Sequence, residues 1–368
     1  MILTAALAIP LLGALALALW TGWSQSAARR WAVAVSIIPL ALMALAWWRF
    51  DNNGAMFQLV EEVEWVPTLG MGFRLGVDGI ALAVAAMSAL LFTAAIAYPV
   101  DTRGSARQYY AWLLFLEAAS LGVFLTLDLL LFYVFFDLTL VGMYFLIAGW
   151  GHGKPERAAL KFFIYTLFGS LFLLLAILGL YLAADPLTFD MRELIAQQPL
   201  AGAGVIASVV MAAFLLGFLI KTPLARFHTW LPAARCPRRR AGASFRHSGR
   251  RVVENGDLWP DPDPVQHDGR HLHPVGLASR YSGADFRYLW LAGVALLGLL
   301  ISAALFLRIL QSLFFGELPD RWKSMPDLNA IEVSVLGVLL GLVVLIGVYP
   351  AVLIDLVETS IVWLVGGQ

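Results

Sequence analysis

Nine stretches of this 368-residue chain are each long, apolar and nearly free of charge, at 2–20, 31–49, 79–98, 110–127, 129–149, 160–183, 203–230, 289–312 and 332–358. A helix needs about 20 such residues to cross roughly 30 Å of hydrocarbon. Inside a bilayer every backbone N–H and C=O must find a partner within the protein, so the windows read as helices. The expected fold is therefore all-α, a polytopic transmembrane bundle of about nine spans. Composition agrees: 60% of residues are apolar and 14% charged, against roughly 25% charged in a soluble domain, which excludes an ordinary water-soluble enzyme. The first window follows Met1 without a basic flank or a small-residue cleavage site, which reads as an uncleaved anchor.

Other classes fall on charge and motif. The 25 basic and 25 acidic residues cancel, leaving no global field to attract nucleic acid. A single cysteine, Cys236, rules out an internal disulfide framework, a thiolate metal cluster and a CxxC pair. No GxGxxG after a strand, P-loop or HExxH is present, so neither nucleotide binding nor a metal is expected on this chain. The loops after the first, third and fifth windows carry Arg29, Arg30, Arg103, Arg107, Lys154 and Arg157, whereas the alternate loops carry Arg49, Arg74 and Arg192. The positive-inside rule then puts the N-terminus outside. The segment 185–195 is too polar to cross and reads as a short interfacial helix.

Ionisable groups within spans are costly and mark function by default. Asp137 lies mid-span, Lys221 lies mid-window just before the helix-breaking Pro223, and Lys161 is expected one turn into its helix. A carboxylate and an ammonium on neighbouring spans make a switchable pair: together they hold both charges, and apart each is driven toward its neutral form. That is what a proton relay requires, and His228, seven residues beyond Lys221, would extend it. A purely structural buried ion pair is the alternative for Asp137 and Lys221. Lys161 equally suits snorkelling to the headgroups, and His228 an interfacial anchor. Glu117 is a further candidate, while Asp128, at a turn between spans, reads as a helix cap.

Four segments in order, RLGVDGIAL (74–82), LDLLLFYVFFDLTLVGMYFLIAGWGH (127–152), LKFFIYTLFGSLFLLLA (160–176) and GFLIKTPLARFHTWLP (217–232), resemble the antiporter-like subunits of proton-pumping NADH:quinone oxidoreductase, in particular the subunit M (chain four) family. LRILQSLFFGE (307–317) and IGVYP (346–350) resemble the end of the same family. The resemblance implies a membrane-arm subunit of respiratory complex I in the bacterial cytoplasmic membrane. It would carry protons beside neighbouring antiporter-like subunits, with NADH, FMN, iron–sulfur clusters and quinone in partner subunits. It sets Asp137 at the carboxylate of the fifth span, where the family has a longer glutamate, Lys221 at the lysine of a broken seventh span, and Lys161 at a lysine of the sixth. Subunits of multisubunit Na+/H+ antiporters and membrane-bound hydrogenases share these motifs. A non-pumping structural remnant is the alternative of another class.

The family has fourteen spans, and this chain departs from it after residue 232. The segment 233–288 holds 16 of the 50 formal charges and four of the six histidines, and its ten arginines are unaccompanied by lysine. It divides the chain into a bundle at 1–232, a polar segment at 233–288 and two spans at 289–368. A zinc or nickel site from Asp261, Asp263, His267, His271 and His273, or a lipid-binding loop around Arg238–Arg240, fits it less well than an out-of-frame reading. Read one base along, synonymous codons for residues 245–263 exist that spell SVILAGVLLKMGTYGLIRI. Trp259 before Pro260 can yield only Gly there, and Glu254 before Asn255 only Lys or Arg. That peptide is an apolar helix with one central lysine, which the family has in its eighth span. Sequencing the gene through codons 230–290 is expected to find those codons, and any other codon set in an intact frame removes the reading. So charged a segment cannot cross back, so the span 289–312 is expected to run opposite to its family direction.

Overall fold

In the computed structural model the described residues are 1–221 and 329–360, apart from 53, 104, 152–154, 350, 352, 358 and 359. They belong to one structural unit, while a second, Arg240–Asp327, lies outside them. Outside them too lie the polar segment, the 289–312 window, His228 and the break expected at Pro223.

Short polar residues begin the helices by accepting the free N–H groups of the first turn. Ser24 accepts from Ala27 to start α2 (Gln25–Arg49), and Asp78 from Ala81 to start α3 (Gly79–Ala97). Asp128 accepts from Leu130 and Leu131 at α5 (Leu129–Trp150), which makes it the expected cap. Between these run α1 (Ile2–Leu19) and α4 (Ala106–Leu125), and α6 follows over Pro155–Ala183. These six helices are long and apolar enough to cross a membrane. The short polar helix appears as α7 (Met191–Gln197), capped by Asp190, and α8 (Val205–Lys221) follows.

The last window is not one helix. α9 (Ala330–Val348) starts on a capping box between Asn329 and Glu332 and stops at Tyr349, whose φ −128° and ψ 70° are non-helical. The next residue is Pro350, whose ring excludes the helical conformation from the residue before it. A short helical piece at 353–357 follows.

α4 is the axis of the bundle, packed against α1, α2, α3 and α5, while α6 packs on α5 and α8 on α6. The outward faces are apolar: Leu91, Val134, Ile164, Phe168 and Leu182 are all exposed where a soluble bundle would carry charge.

One element lies outside the apolar windows. The connection from α2 to α3 is an antiparallel hairpin, β1 (Gln58–Val66) with β2 (Met71–Val77), pairing Glu62 with Arg74. It turns through Pro67–Leu69 and Gly70, at φ +65°, where an added Cβ would strike the Leu187 carbonyl oxygen. From β1, Glu61 reaches the first turn of α1 and accepts from the Leu3 and Thr4 amides at 3.0 and 2.9 Å.

Behind the hairpin an ion-pair chain ties three distant segments together. Arg74 Nη1 lies 3.2 Å from Asp128 Oδ2 and Arg74 Nε 3.4 Å from Asp190 Oδ2, both carboxylates being almost fully buried. Arg192 clasps Asp190 at 2.6 Å and Glu62 at 2.7 Å. Backbone bonds from Leu127 N to Arg74 O and from Met191 N to Leu127 O, each 2.9 Å, close the arrangement. Burial pushes the Asp128 carboxyl above the usual range, and its bonds from Gly72, Leu131 and Leu130 and the Arg74 charge only partly offset that. Burial also works on Asp190, but hydrogen bonds and charge from Arg192, with Arg74 behind, carry it below the usual range. This clamp fixes the start of α5, the helix that carries Asp137.

Candidate functional site

The site lies where α8 meets α5, and two glycines set how closely α8 approaches. A Cβ on Gly169 of α6 would come within 2.6 Å of Ile220, and one on Gly217 of α8 within 3.2 Å of the Gly169 carbonyl oxygen. Helices in lipid associate through such small-residue contacts, which let backbones approach. The closeness delivers Lys221, the last described residue of α8, onto the side of α5.

There the Lys221 ammonium donates to the Phe136 carbonyl and to the Thr139 hydroxyl, each at 3.0 Å. It stands 3.2 Å above the centroid of the Phe136 ring, a cation–π seat in a desolvated place. Phe218 meets that ring edge-on, and the Thr139 hydroxyl donates in turn to the Phe136 carbonyl at 2.7 Å. The ammonium is thus held by neutral oxygens and an aromatic face.

Asp137 is the next residue along α5. Its charge acts on Lys221, yet no nitrogen–oxygen contact within 4.0 Å joins them among the described residues. The two are neighbours held apart. Asp137 Oδ1 is buried and has no hydrogen-bond partner among the described residues. Tyr133, one turn earlier on α5, shares a face of that helix with Asp137. A buried carboxylate oxygen without a donor is costly. The arrangement therefore supplies an acceptor, an ammonium donor and a phenol in one seam between α5, α6 and α8.

The other candidates lie elsewhere. Glu117, fully buried on α4, accepts from Ser36 at 2.9 Å, and Ser36 and Thr93 hydroxyls meet at 3.0 Å, so it belongs to a cluster between α2, α3 and α4. Lys161 is exposed on the outer face of α6. His228 lies outside the described residues. Among those residues no group of three His, Cys, Asp or Glu side chains is placed to hold a metal ion. Tyr133, Thr139, Ser36 and Thr93 were not singled out from sequence. The signal was available at Tyr133, which precedes Asp137 by one helical turn and so shares its face.

Residues 126–238, which contain this seam, match the family described as NADH:quinone oxidoreductase/Mrp antiporter, TM. The chain is similar to F(420)H(2) dehydrogenase subunit M of Methanosarcina mazei, with 38% identity over 204 residues, covering 54% of this chain and 41% of that one. It is also similar to an NAD(P)H-quinone oxidoreductase chain 4 of Picosynechococcus sp., with 36% identity over 234 residues, 63% of this chain and 43% of the other. It therefore spans less than half the length of these relatives. Among solved structures it is similar to a chain of respiratory complex I from Thermus thermophilus with bound NADH, at TM-score 0.55 and 28% identity, covering 64% of this chain and 46% of that one. The Mrp complex from Dietzia sp. shares the fold at TM-score 0.55 and 23% identity, over 64% of this chain and 25% of that one.

Proposed function

We propose that this chain is a membrane-arm subunit of a proton-translocating NADH:quinone oxidoreductase, multi-pass in the bacterial cytoplasmic membrane with its N-terminus outside. In this reading it carries protons and no redox chemistry of its own. The supporting observation is the Asp137–Lys221 seam: an ammonium resting on the Phe136 carbonyl beside a carboxylate with one buried oxygen unpartnered, within the residues that match the family.

A proton reaching Asp137 fills the empty oxygen and weakens its hold on Lys221. A proton leaving Asp137 restores that attraction and draws the ammonium off the Phe136 carbonyl toward the carboxylate. Electron transfer in partner subunits, where NADH, flavin, iron–sulfur clusters and quinone belong, would drive the alternation. His228 beyond Lys221 is the proposed continuation of the path. Lys161 would join it only if a neighbouring subunit covers the outer face of α6, and Glu117 is the candidate on the α4 side.

A second reading, in which the same seam exchanges Na+ against protons, is favoured by the likeness to the Mrp fold. The chain is produced with its partner subunits, and NADH-driven acidification of inside-out vesicles is compared for parent, Asp137→Asn and Asp137→Glu. Acidification is expected to fall to background in the first and to persist in the second, which restores the family's own carboxylate. Full pumping by Asp137→Asn means that the chain is a structural remnant, and acidification that follows external Na+ instead of NADH selects the antiporter.

A further inference from the structure

A second polar feature lies away from the seam, at the end of the bundle where α4 begins, α5 ends and α6 begins. The three helix ends line a cavity of about 650 Å³ that is open to the outside, with Trp112, Phe145 and Leu160 along its wall and Gln108, Glu156 and Arg157 at its rim. Trp112 and Phe145 stack at 4.2 Å and 11°, so the wall is flat and apolar. The neighbouring Trp150 is pinned by a 3.0 Å bond from its indole N–H to the Thr102 carbonyl and by edge contact with Tyr109. Aromatic side chains of this kind gather at the level of lipid headgroups, with their apolar bodies toward the acyl chains. Below the rim, Leu160, Ile164 and Phe168 are half or more exposed along one stripe of α6 and carry the apolar surface on toward mid-membrane.

The cavity thus has an apolar wall that continues as a track down α6 and a rim with both signs of charge. Glu156 and Arg157 are adjacent and both exposed. A headgroup with only a phosphate would satisfy Arg157 and meet repulsion from Glu156, whereas one with a phosphate and a primary amine satisfies both. We propose that this cavity binds a phospholipid with a primary-amine headgroup, its phosphate on Arg157, its ammonium on Glu156 and one acyl chain along Leu160, Ile164 and Phe168. The cavity's volume falls within the several-hundred Å³ range of small-molecule sites. The site is independent of the proton seam.

The test takes the full chain from vesicles of equal parts phosphatidylethanolamine and phosphatidylglycerol into detergent and counts retained lipids by native mass spectrometry. One phosphatidylethanolamine per chain is expected to persist. Arg157→Gln removes a charge-assisted contact and should lower retention about tenfold or more. Glu156→Gln should erase the preference between the two lipids. All three rim side chains stand outside the core, and Arg30→Gln, another exposed arginine, should retain lipid as the parent does. Equal retention by the parent and Arg157→Gln, or preference of the parent for phosphatidylglycerol, overturns the site. So does a photo-crosslinker at Gln108 that captures a protein in native membranes and no lipid.

Discussion

Replacing Lys221 by methionine is expected to abolish proton translocation while leaving the fold about as stable. Methionine keeps the length and apolar stem and removes the charge. The ammonium now makes two hydrogen bonds to α5 and caps the Phe136 ring, and without it the Phe136 carbonyl still accepts from the Thr139 hydroxyl. No ion pair within 4.0 Å is broken, so the exchange loses two hydrogen bonds and relieves the desolvation of a buried ammonium, effects of opposite sign. Loss of pumping with a little-changed melting temperature is therefore the signature of a functional lysine. Vesicles carrying Lys221→Met that acidify at the parental rate would mean that the pair with Asp137 carries nothing, and a collapsed fold would assign the lysine a structural role.

The second large effect is expected at Arg74. Its guanidinium lies between Asp128 and Asp190, each only 2% exposed, and also donates to the Gly70 carbonyl at 3.1 Å. Truncation to alanine leaves Asp128 without its cation and Asp190 with Arg192 alone, and breaking a buried pair from one side costs roughly 3–5 kcal/mol. Arg74→Ala should unfold at markedly lower temperature or fail to accumulate, while Arg30→Ala, at an exposed position, should behave as the parent. The clamp also sets an acid limit. Asp190 is held below the usual range, so its stabilisation is complete above the ordinary carboxylate pKa of about 4 and is lost as pH falls through the lower folded value. Asp128 is raised, so its charged form costs stability at neutral pH and acidification relieves that cost. Asp190→Asn should lower the neutral-pH melting temperature and flatten its decline in acid. A decline as steep as that of the parent would remove Asp190 from the account.

The helices were legible to within a few residues where apolar runs end on a polar cap. α3 and α5 follow Asp78 and Asp128 directly. α2 starts six residues before its window because Arg29 and Arg30 dilute the apolar average, although Ser24 is a ready cap. The hairpin lies outside the apolar windows; the Pro67–Gly70 turn, after a run with the β-branched Val60, Val63 and Val66, is its sequence signal. Asp137 and Lys221 stood out as ionised groups inside apolar runs. Their separation did not, because it depends on a main-chain carbonyl. The hydroxyl partners were silent for a related reason: within helices Ser and Thr commonly bond back to the preceding turn, as Thr166 does to the Phe162 carbonyl at 2.6 Å, and so look inert in sequence.

The clamp on the hairpin also has a temporal meaning. Its members are far apart along the chain, with 54 residues between Arg74 and Asp128 and 130 between Glu62 and Arg192. A chain inserted from its N-terminus presents Arg74 before either buried aspartate exists to receive it, and Arg192 emerges only after the six helices α1–α6. The last link can close only when the four helices that separate them, α3–α6, leave Glu62 and Arg192 on the same side of the bilayer. The ion-pair chain thus acts as a latch on the insertion of α3–α6, and one of these four failing to cross leaves it open with its charges unmatched.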